Sequence, residues 1–450
     1  MGLDFLFLYE HIVREFENDA LIMAELERRG YSVALHQLMD RKKLKYYFWK
    51  KPKVIVPSAM YDNETLNSFV YNNVGKLDKV VNLHWEQVLS REQEEREFYS
   101  FTENARKCTH ICWGEKAKER IVRKGVPENN AVVTGAVQLD FLYPMFDGYF
   151  KSRDELAAEF SLDTSKRWLC YVSSFSCAFM DDKEVEELNA MTDLDFAGFK
   201  AVGARSMEVT LEWFDRLLSE PGYQDAELIY RPHPCEWQSP PLAEMKKKHK
   251  NFHVISDYSV KQWVKCSNTI LTWMSTSIAE IYFAKKSCVV VRPEPLFDDY
   301  DPVTFAGVNA ADSYEKLKTA LDTSETPFPI DEGELKSHYD VDYDYPAYMR
   351  ICDLLEWTIK NPPRDYPFSE GYTPRFNLLK FVALFVFKAL NTLCVDPNWF
   401  FFLGKKTAAD VKRYMGYYSK ARLSRGQVRK KINELRGYID KADIQKREIK

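Results

Sequence analysis

The sequence predicts an α/β protein built on parallel β-sheets in two successive series, followed by a basic helical segment. Three observations predict it. Short apolar runs rich in Val, Ile and Leu alternate with stretches of helical periodicity over residues 1–360. The alternation restarts after a polar break near residue 160. Hydrophobic residues make up 45% of 450, enough to bury more than one core.

Asp4–Tyr9 is a short apolar run followed by helical spacing of Ile12, Phe16, Leu21, Met23 and Leu26, a stop at Gly30, and a new strand from Tyr31. That is a β-α-β unit. Lys53–Pro57, Lys79–His84, His110–Gly114 and Ala131–Gly135 continue as strands, with helices expected at Asn63–Asn72 and Glu115–Lys124. A polar helix, Ser152–Phe160, then leads into a second series. Its strands are Trp168–Val172, Leu228–Arg231, His253–Ser256, Asn268–Thr272 and Ser287–Arg292, and its helices Met207–Ser219, Lys261–Lys265 and Ile278–Ala284. Strands alternating with helices form parallel sheets covered on both faces. The reading is two Rossmann-like domains, 1–150 and 151–360, facing across a cleft where ligands meet the strand C-termini.

Residues 361–450 begin with the linker Asn361-Pro-Pro-Arg-Asp-Tyr-Pro and continue through the aromatic run Phe376–Leu403 into a basic helical tail. Residues 401–450 carry 15 Lys and Arg against 5 Asp and Glu. Lys380, Lys388 and Asp396 interrupt the roughly 20 apolar residues a membrane span needs. Two readings of this tail stay open: an amphipathic contact of residues 376–450 with an anionic membrane surface, or an α-helical cap packed on the second domain.

Over the whole chain 63 Lys and Arg nearly cancel 67 Asp and Glu, which argues against nucleic acid as a partner. The Met1–Glu10 segment has no basic region and no small-residue cleavage site, so it reads as a strand and not a signal peptide. Nine scattered cysteines, embedded mostly in apolar runs, fit a reducing cytoplasm. Cys108 and Cys112 with His110 between them lack a second ligand pair at zinc spacing and read as structural.

Dinucleotide and Walker-type glycine loops are absent, and so is Gly-x-Ser-x-Gly. What stands out is Tyr230-Arg-Pro-His-Pro-Cys-Glu at a strand end. Two prolines hold His233 in an extended loop, where it and the Arg231 fork can face a phosphate. Thr272-Trp-Met-Ser-Thr-Ser-Ile-Ala-Glu ends another strand and starts a helix. Ser275, Thr276 or Ser277 is its N-cap, with Ser277 and Glu280 at capping-box spacing, and the helix start is a natural anion site. Glu280 can accept from ribose hydroxyls. Ser173, Ser174 and Ser176 form a third group of donors. On the acceptor side a general base is needed. Glu86 is the first candidate, with Glu10 and Asp140 behind it and His84 as an orienting partner. Asp298–Asp301 and Asp342–Asp344 read as solvated loops, with no metal and no cofactor expected.

Arg231-Pro-His-Pro, Ser275-Thr-Ser-x-x-Glu280, Thr134-Gly-x-x-x-x-Asp140, Glu10-His11 with Arg14-Glu15, and Asn82-Leu-His-Trp-Glu-Gln together carry a resemblance over about residues 1–360. The sequence resembles glycosyltransferases of the GT-B architecture that build bacterial surface polysaccharides. The likeness is to the capsule and lipopolysaccharide group that includes Kdo transferases, with CDP-glycerol glycerophosphotransferases as cousins. It lacks the Pro-Arg that many of them place before the Asp. The resemblance implies that His233 and the hydroxyls of Ser275, Thr276 and Ser277 hold the donor phosphate and Glu280 its ribose. It implies a cytoplasmic, metal-independent enzyme with a nucleotide-sugar donor, CMP-linked before UDP-linked, and a glycan or lipid-linked glycan acceptor. A CDP-polyol phosphotransferase, a nucleotide-sugar epimerase and a non-catalytic assembly protein are the alternatives.

Overall fold

A computed structural model describes the chain apart from residues 1, 39, 41–45, 47–50, 72–73, 76, 91–92, 94–100, 192–193, 234–235, 237–238, 324–326, 364–381, 383–384, 387–388, 390–392, 394–421 and 449–450. It divides into two compact units, one gathering 1–87, 99–140 and 338–450, the other 88–98 and 141–337.

In the first unit β1 (Leu3–Tyr9) lies between β2 (Val33–Gln37) and β3 (Pro52–Pro57), with Phe5 opposite both Val33 and Val54. β4 (Val81–Asn82), β5 (Thr109–Cys112) and β6 (Ala131–Val133) pair side by side. The parallel bridge Ile55–Val80 and the Leu83 N–H on the Pro57 carbonyl at 2.9 Å continue the sheet from β3 to β4. The order is therefore β2-β1-β3-β4-β5-β6, all parallel. Leu6, Leu8, Ile55, Val70 and Val80 fill the core on one face. The spacing that predicted a helix after β1 gives a π-helical turn, Ile12–Phe16, running into the α-helix Glu17–Arg28.

Two later helices pack on Glu17–Arg28. One is Ala347–Lys360, which buries Ile351, Cys352 and Leu355. The other is Arg425–Glu448, which buries Ile432, Leu435 and Ile439. Ion pairs line the second contact: Arg28 with Asp440 at 2.8 Å and with Asp443, and Arg429 with Glu27 at 2.7 Å. Of the two readings of the tail, residues 425–448 take the packed one, but on the first unit and not on the second domain as expected. The aromatic run 376–403, apart from residues 382, 385, 386, 389 and 393, lies outside the described residues, as do Lys405, Lys406, Lys412, Arg413 and Lys420. No described helix is long and apolar enough to cross a membrane.

The second unit holds a six-stranded sheet of β7 (Arg167–Val172), β8 (Ala226–Arg231), β9 (Phe252–Val254), β10 (Thr269–Thr272), β11 (Ser287–Val291) and β12 (Ala310–Ala311). Its order is β12-β11-β10-β7-β8-β9, and every pairing is parallel, with Tyr171 opposite Tyr230 and Leu271. The long helix Phe196–Ser219 covers one face with Phe199, Met207, Leu211 and Phe214. Its first half was not expected, because Gly198 and Gly203 weaken the helical signal. Gly203 sits where a Cβ would strike Cys177 Sγ, so close packing accounts for that glycine.

Each sheet has a point where the strand order reverses. It falls between β1 and β3 in the first unit and between β7 and β10 in the second. In open parallel sheets ligands bind beyond the strand C-termini at such points.

Candidate functional site

In the second unit the loops after β10, β7 and β8, three adjacent strands, carry the predicted donor-side residues. β8 ends at Arg231, whose guanidinium donates to the carbonyls of Asp257 at 2.7 Å and Tyr258 at 2.8 Å. This corrects the expectation of a phosphate-facing fork, because both amino groups fasten β8 to the loop after β9. His233, two residues on, is half-buried, and burial lowers its pKa below the ordinary imidazole range. It therefore enters the site neutral, with one N–H to donate.

Ser173 is a second correction. It is buried, and its hydroxyl donates to Glu236 Oε1 at 2.7 Å. Ser174 Oγ accepts from the Met274 N–H at 3.2 Å, tying the loop after β7 to the loop after β10. Ser176 follows on a 3₁₀ turn and is partly exposed.

The helix Ile278–Phe283 starts differently from the expected box. Ser275 Oγ accepts from the Ser277 N–H at 3.3 Å, and Ser277 itself has helical backbone angles and makes no side-chain capping bond. Glu280 is thus not a capping-box partner. It is half-buried, and burial raises its pKa although Lys261 opposes the shift. The Thr276 side chain is exposed and that of Ser277 partly so, leaving two hydroxyls beside His233 and Ser174 on neighbouring loops.

The Asp298–Asp301 cluster is not simply solvated. Arg292, at the end of β11, holds both Asp301 oxygens at 2.6 Å and donates to the Trp273 carbonyl at 3.3 Å. Among the described residues no group of three or more His, Cys, Asp or Glu is arranged to hold a metal ion.

In the first unit charge gathers beyond β1. Arg14 donates to Glu15 Oε1 at 2.8 Å and to Glu86, and its guanidinium lies 3.9 Å from Glu10 Oε2. Glu15 is fully buried and also accepts from the Glu10 N–H at 2.6 Å. Burial alone would lower the Arg14 pKa, but Glu15 and Glu86 outweigh it and raise it. Burial raises the Glu10 pKa above the usual carboxylate range, with Glu15 and Glu86 adding to it and His11 and Arg14 opposing. The π-helical turn is what brings Arg14 and Glu15 together here.

His84 does not meet this cluster through any hydrogen bond. Its ring is buried edge-on to Tyr61 and Phe101, with neither nitrogen partnered, at a backbone φ of 48°. Burial, with Arg120 and His110 adding to it, holds it neutral. The orienting role expected of it is corrected accordingly. Asp140 is corrected too. Its oxygens accept from the Ala347 N–H at 3.0 Å and the Tyr348 N–H at 2.8 Å, so it caps the helix Ala347–Lys360. His110 bridges Asn82 and the Ala105 carbonyl, and Cys108 and Cys112 are buried thiols whose pKa burial raises.

No family model matches the chain, and no curated protein matches it. Solved structures do. A histidine-to-asparagine variant of the wall teichoic acid polymerase TagF, soaked with CDPG, matches with a TM-score of 0.53 at 14% identity, over 79% of this chain and 89% of that one. The UDP-GlcNAc 2-epimerase of Methanocaldococcus jannaschii matches with a TM-score of 0.50 at 14% identity, over 79% of this chain and 100% of that one. The fold is GT-B. At such identities the likeness concerns the fold alone and does not single out Kdo transferases.

Within this GT-B fold the sequence reading quoted Arg14, Glu15 and Glu236 inside motifs but gave none of them a role of its own. Arg14 and Glu15 were visible only as a charged pair just past an apolar strand. Glu236 gave no signal, since nothing local shows that its carboxylate turns inward.

Proposed function

We propose that the chain is a transferase that moves a sugar from a nucleotide-activated donor, held by the second unit, to a hydroxyl of a glycan or lipid-linked glycan deprotonated by the first. The observation that carries this is the set of uncharged donors, His233, Ser174, Thr276 and Ser277, on loops at and beside the β7/β10 reversal point. N–H and O–H groups fixed on a sheet edge suit the charge that grows on a departing phosphate.

The bond formed joins the acceptor oxygen to the anomeric carbon, and the bond broken joins that carbon to the phosphate oxygen. The acceptor proton passes to a carboxylate. Glu10 is favoured over Glu86 for that step. Glu86 is engaged directly by Arg14, whereas Glu10 lies farther from that guanidinium and burial raises its pKa above the usual carboxylate range. Arg14, anchored by the buried Glu15, then holds Glu86 beside Glu10.

The TagF likeness, from a structure soaked with CDPG, favours a cytidine nucleotide and also a second reading, transfer of a polyol phosphate. Phosphorus NMR of the product separates them, because only polyol-phosphate transfer adds a phosphodiester that the acceptor did not carry. A lipid-linked acceptor would bring the chain to a membrane surface, and the aromatic and basic residues between 376 and 424 supply the composition for it. Co-sedimentation with anionic vesicles tests that part.

The first test is a thermal-shift series with CMP, CDP, UDP and GDP. Cytidine nucleotides should raise the melting temperature of the wild type, and His233→Ala should abolish the rise while leaving the unliganded melting temperature nearly unchanged. A flat response to all four nucleotides would overturn the donor assignment.

A further inference from the structure

Glu236 lies three residues beyond His233, and its side chain is fully buried. Ser173 Oγ donates to its Oε1 at 2.7 Å and the Phe175 N–H to the same oxygen at 3.1 Å. The Tyr230 hydroxyl donates to Oε2 at 2.8 Å and lies 3.0 Å from Ser173 Oγ. Three donors converging on two oxygens are the environment of an ionised carboxylate. Burial works against that charge and raises the pKa, and the same donors offset part of that rise.

A buried charge is a costly way to hold a fold, since well-packed apolar groups do it equally well. What a carboxylate offers here is direction. Its donors come from the end of β8 and from the loop after β7. Its own N–H donates to the His233 carbonyl at 2.8 Å, so anchor and imidazole share one tight turn. Ser174, the next residue after Ser173, reaches the loop after β10 through Met274.

We propose that Glu236 is a positioning residue for the donor site: its carboxylate pins the turn carrying His233 to the loop carrying Ser173 and Ser174, and so sets His233 against those hydroxyls. The proposal rests on the donor-side reading above. It predicts that the geometry of His233, and not only the stability of the unit, depends on this one side chain.

The test uses the full chain and the variants Glu236→Gln and Tyr230→Phe. Histidine ring signals are followed by NMR, with His233 assigned by its loss in His233→Ala, and CDP and UDP binding is followed by calorimetry. Glu236→Gln should move the His233 signal, leave those of His84 and His110 in place, and weaken nucleotide binding by about tenfold or more. Tyr230→Phe, which removes one donor of three, should act in the same direction and less. An unmoved His233 signal with unchanged affinity in folded Glu236→Gln would overturn the proposal. If that variant does not fold, the same two readouts on Tyr230→Phe decide. If the wild type binds neither nucleotide, the donor reading falls, and the His233 signal still decides whether Glu236 positions it.

Discussion

The two strand-end clusters are built from opposite chemistry. Beyond β1, three carboxylates crowd one guanidinium, and burial keeps Glu10 closer to protonation than a surface glutamate. Beyond β7, β8 and β10 the accessible groups are hydroxyls and a neutral imidazole, and the nearby charges are already engaged: Arg231 on carbonyls, Glu236 on three donors, Arg292 on Asp301. On the proposed reading the first cluster takes up the acceptor proton, and the second meets the donor phosphate with uncharged donors, so acid-base work and phosphate recognition fall to different units.

The largest effect should come from breaking the proton-transfer side alone. Glu10→Gln should lower kcat by about 10²–10⁴-fold, the usual worth of a general base, with donor affinity unchanged. Glu86→Gln should cost less, because it removes one partner of Arg14 and leaves Glu10 in place. Steady-state kinetics on both variants checks this, and a larger loss in Glu86→Gln would exchange their roles.

A second difference should appear on acidification. Burial pushes the His110 pKa down to about 4, and that of His84 falls as well. The unfolded chain binds these protons at a pKa near 6.5, so from there down to about 4 it takes up more protons than the folded one. The stability that neutral His110 contributes is therefore full above pH ~6.5 and is lost as pH falls, about 3 kcal/mol by pH ~4. The second unit instead pairs Asp215 with Lys248 and His249, and Glu227 with His253, pairs that hold both carboxyl pKa values below their ordinary range. Those contributions persist above the ordinary carboxylate pKa of about 4 and fade only below it. Hydrogen exchange followed from pH 7 to 4.5 should show the first unit loosening first.

Much of the fold was legible in the sequence, and the elements that were missed carry weak or mixed hydrophobic signals. The strands announced themselves because a buried parallel strand is apolar throughout, as in Leu3–Tyr9 and Ser287–Val291. β12 was missed because two alanines carry no such signal. The helices Pro240–Lys248 and Tyr314–Asp322 were missed because their mixed composition hides a single apolar stripe. At the candidate sites, residue types drew attention to these loops but not to the contacts each residue makes. Ser173, Arg231 and Asp140 have the chemistry of ligand-binding groups, and only contacts distant in sequence reveal that they brace loops or cap a helix.

Asp140 therefore sharpens the comparison with a smaller effect. Asp140→Ala removes the cap of Ala347–Lys360 and should destabilise the first unit by about 1–2 kcal/mol. Turnover per folded molecule should stay near normal. A loss of kcat out of proportion to the unfolded fraction would return Asp140 to the catalytic group.

The smallest effect concerns the support beneath the charged cluster. The helix Glu17–Arg28 continues directly from the turn that carries Arg14 and Glu15, and its far end pairs Arg28 with Asp440 and Asp443 of Arg425–Glu448. Asp440 is half exposed, and Arg28 keeps Glu25 as a further partner, so water and the remaining carboxylates offset most of what one pair contributes. Asp440→Asn should then change stability by less than about 1 kcal/mol, and that difference should vanish in high salt, while Ile432, Leu435 and Ile439 keep the helix seated. Denaturation of wild type and variant at two salt concentrations measures it. A salt-sensitive change in kcat, without a matching change in stability, would mean that charge on the last helix reaches Glu10 through Glu17–Arg28, and the two clusters would then differ in regulation as well as in chemistry.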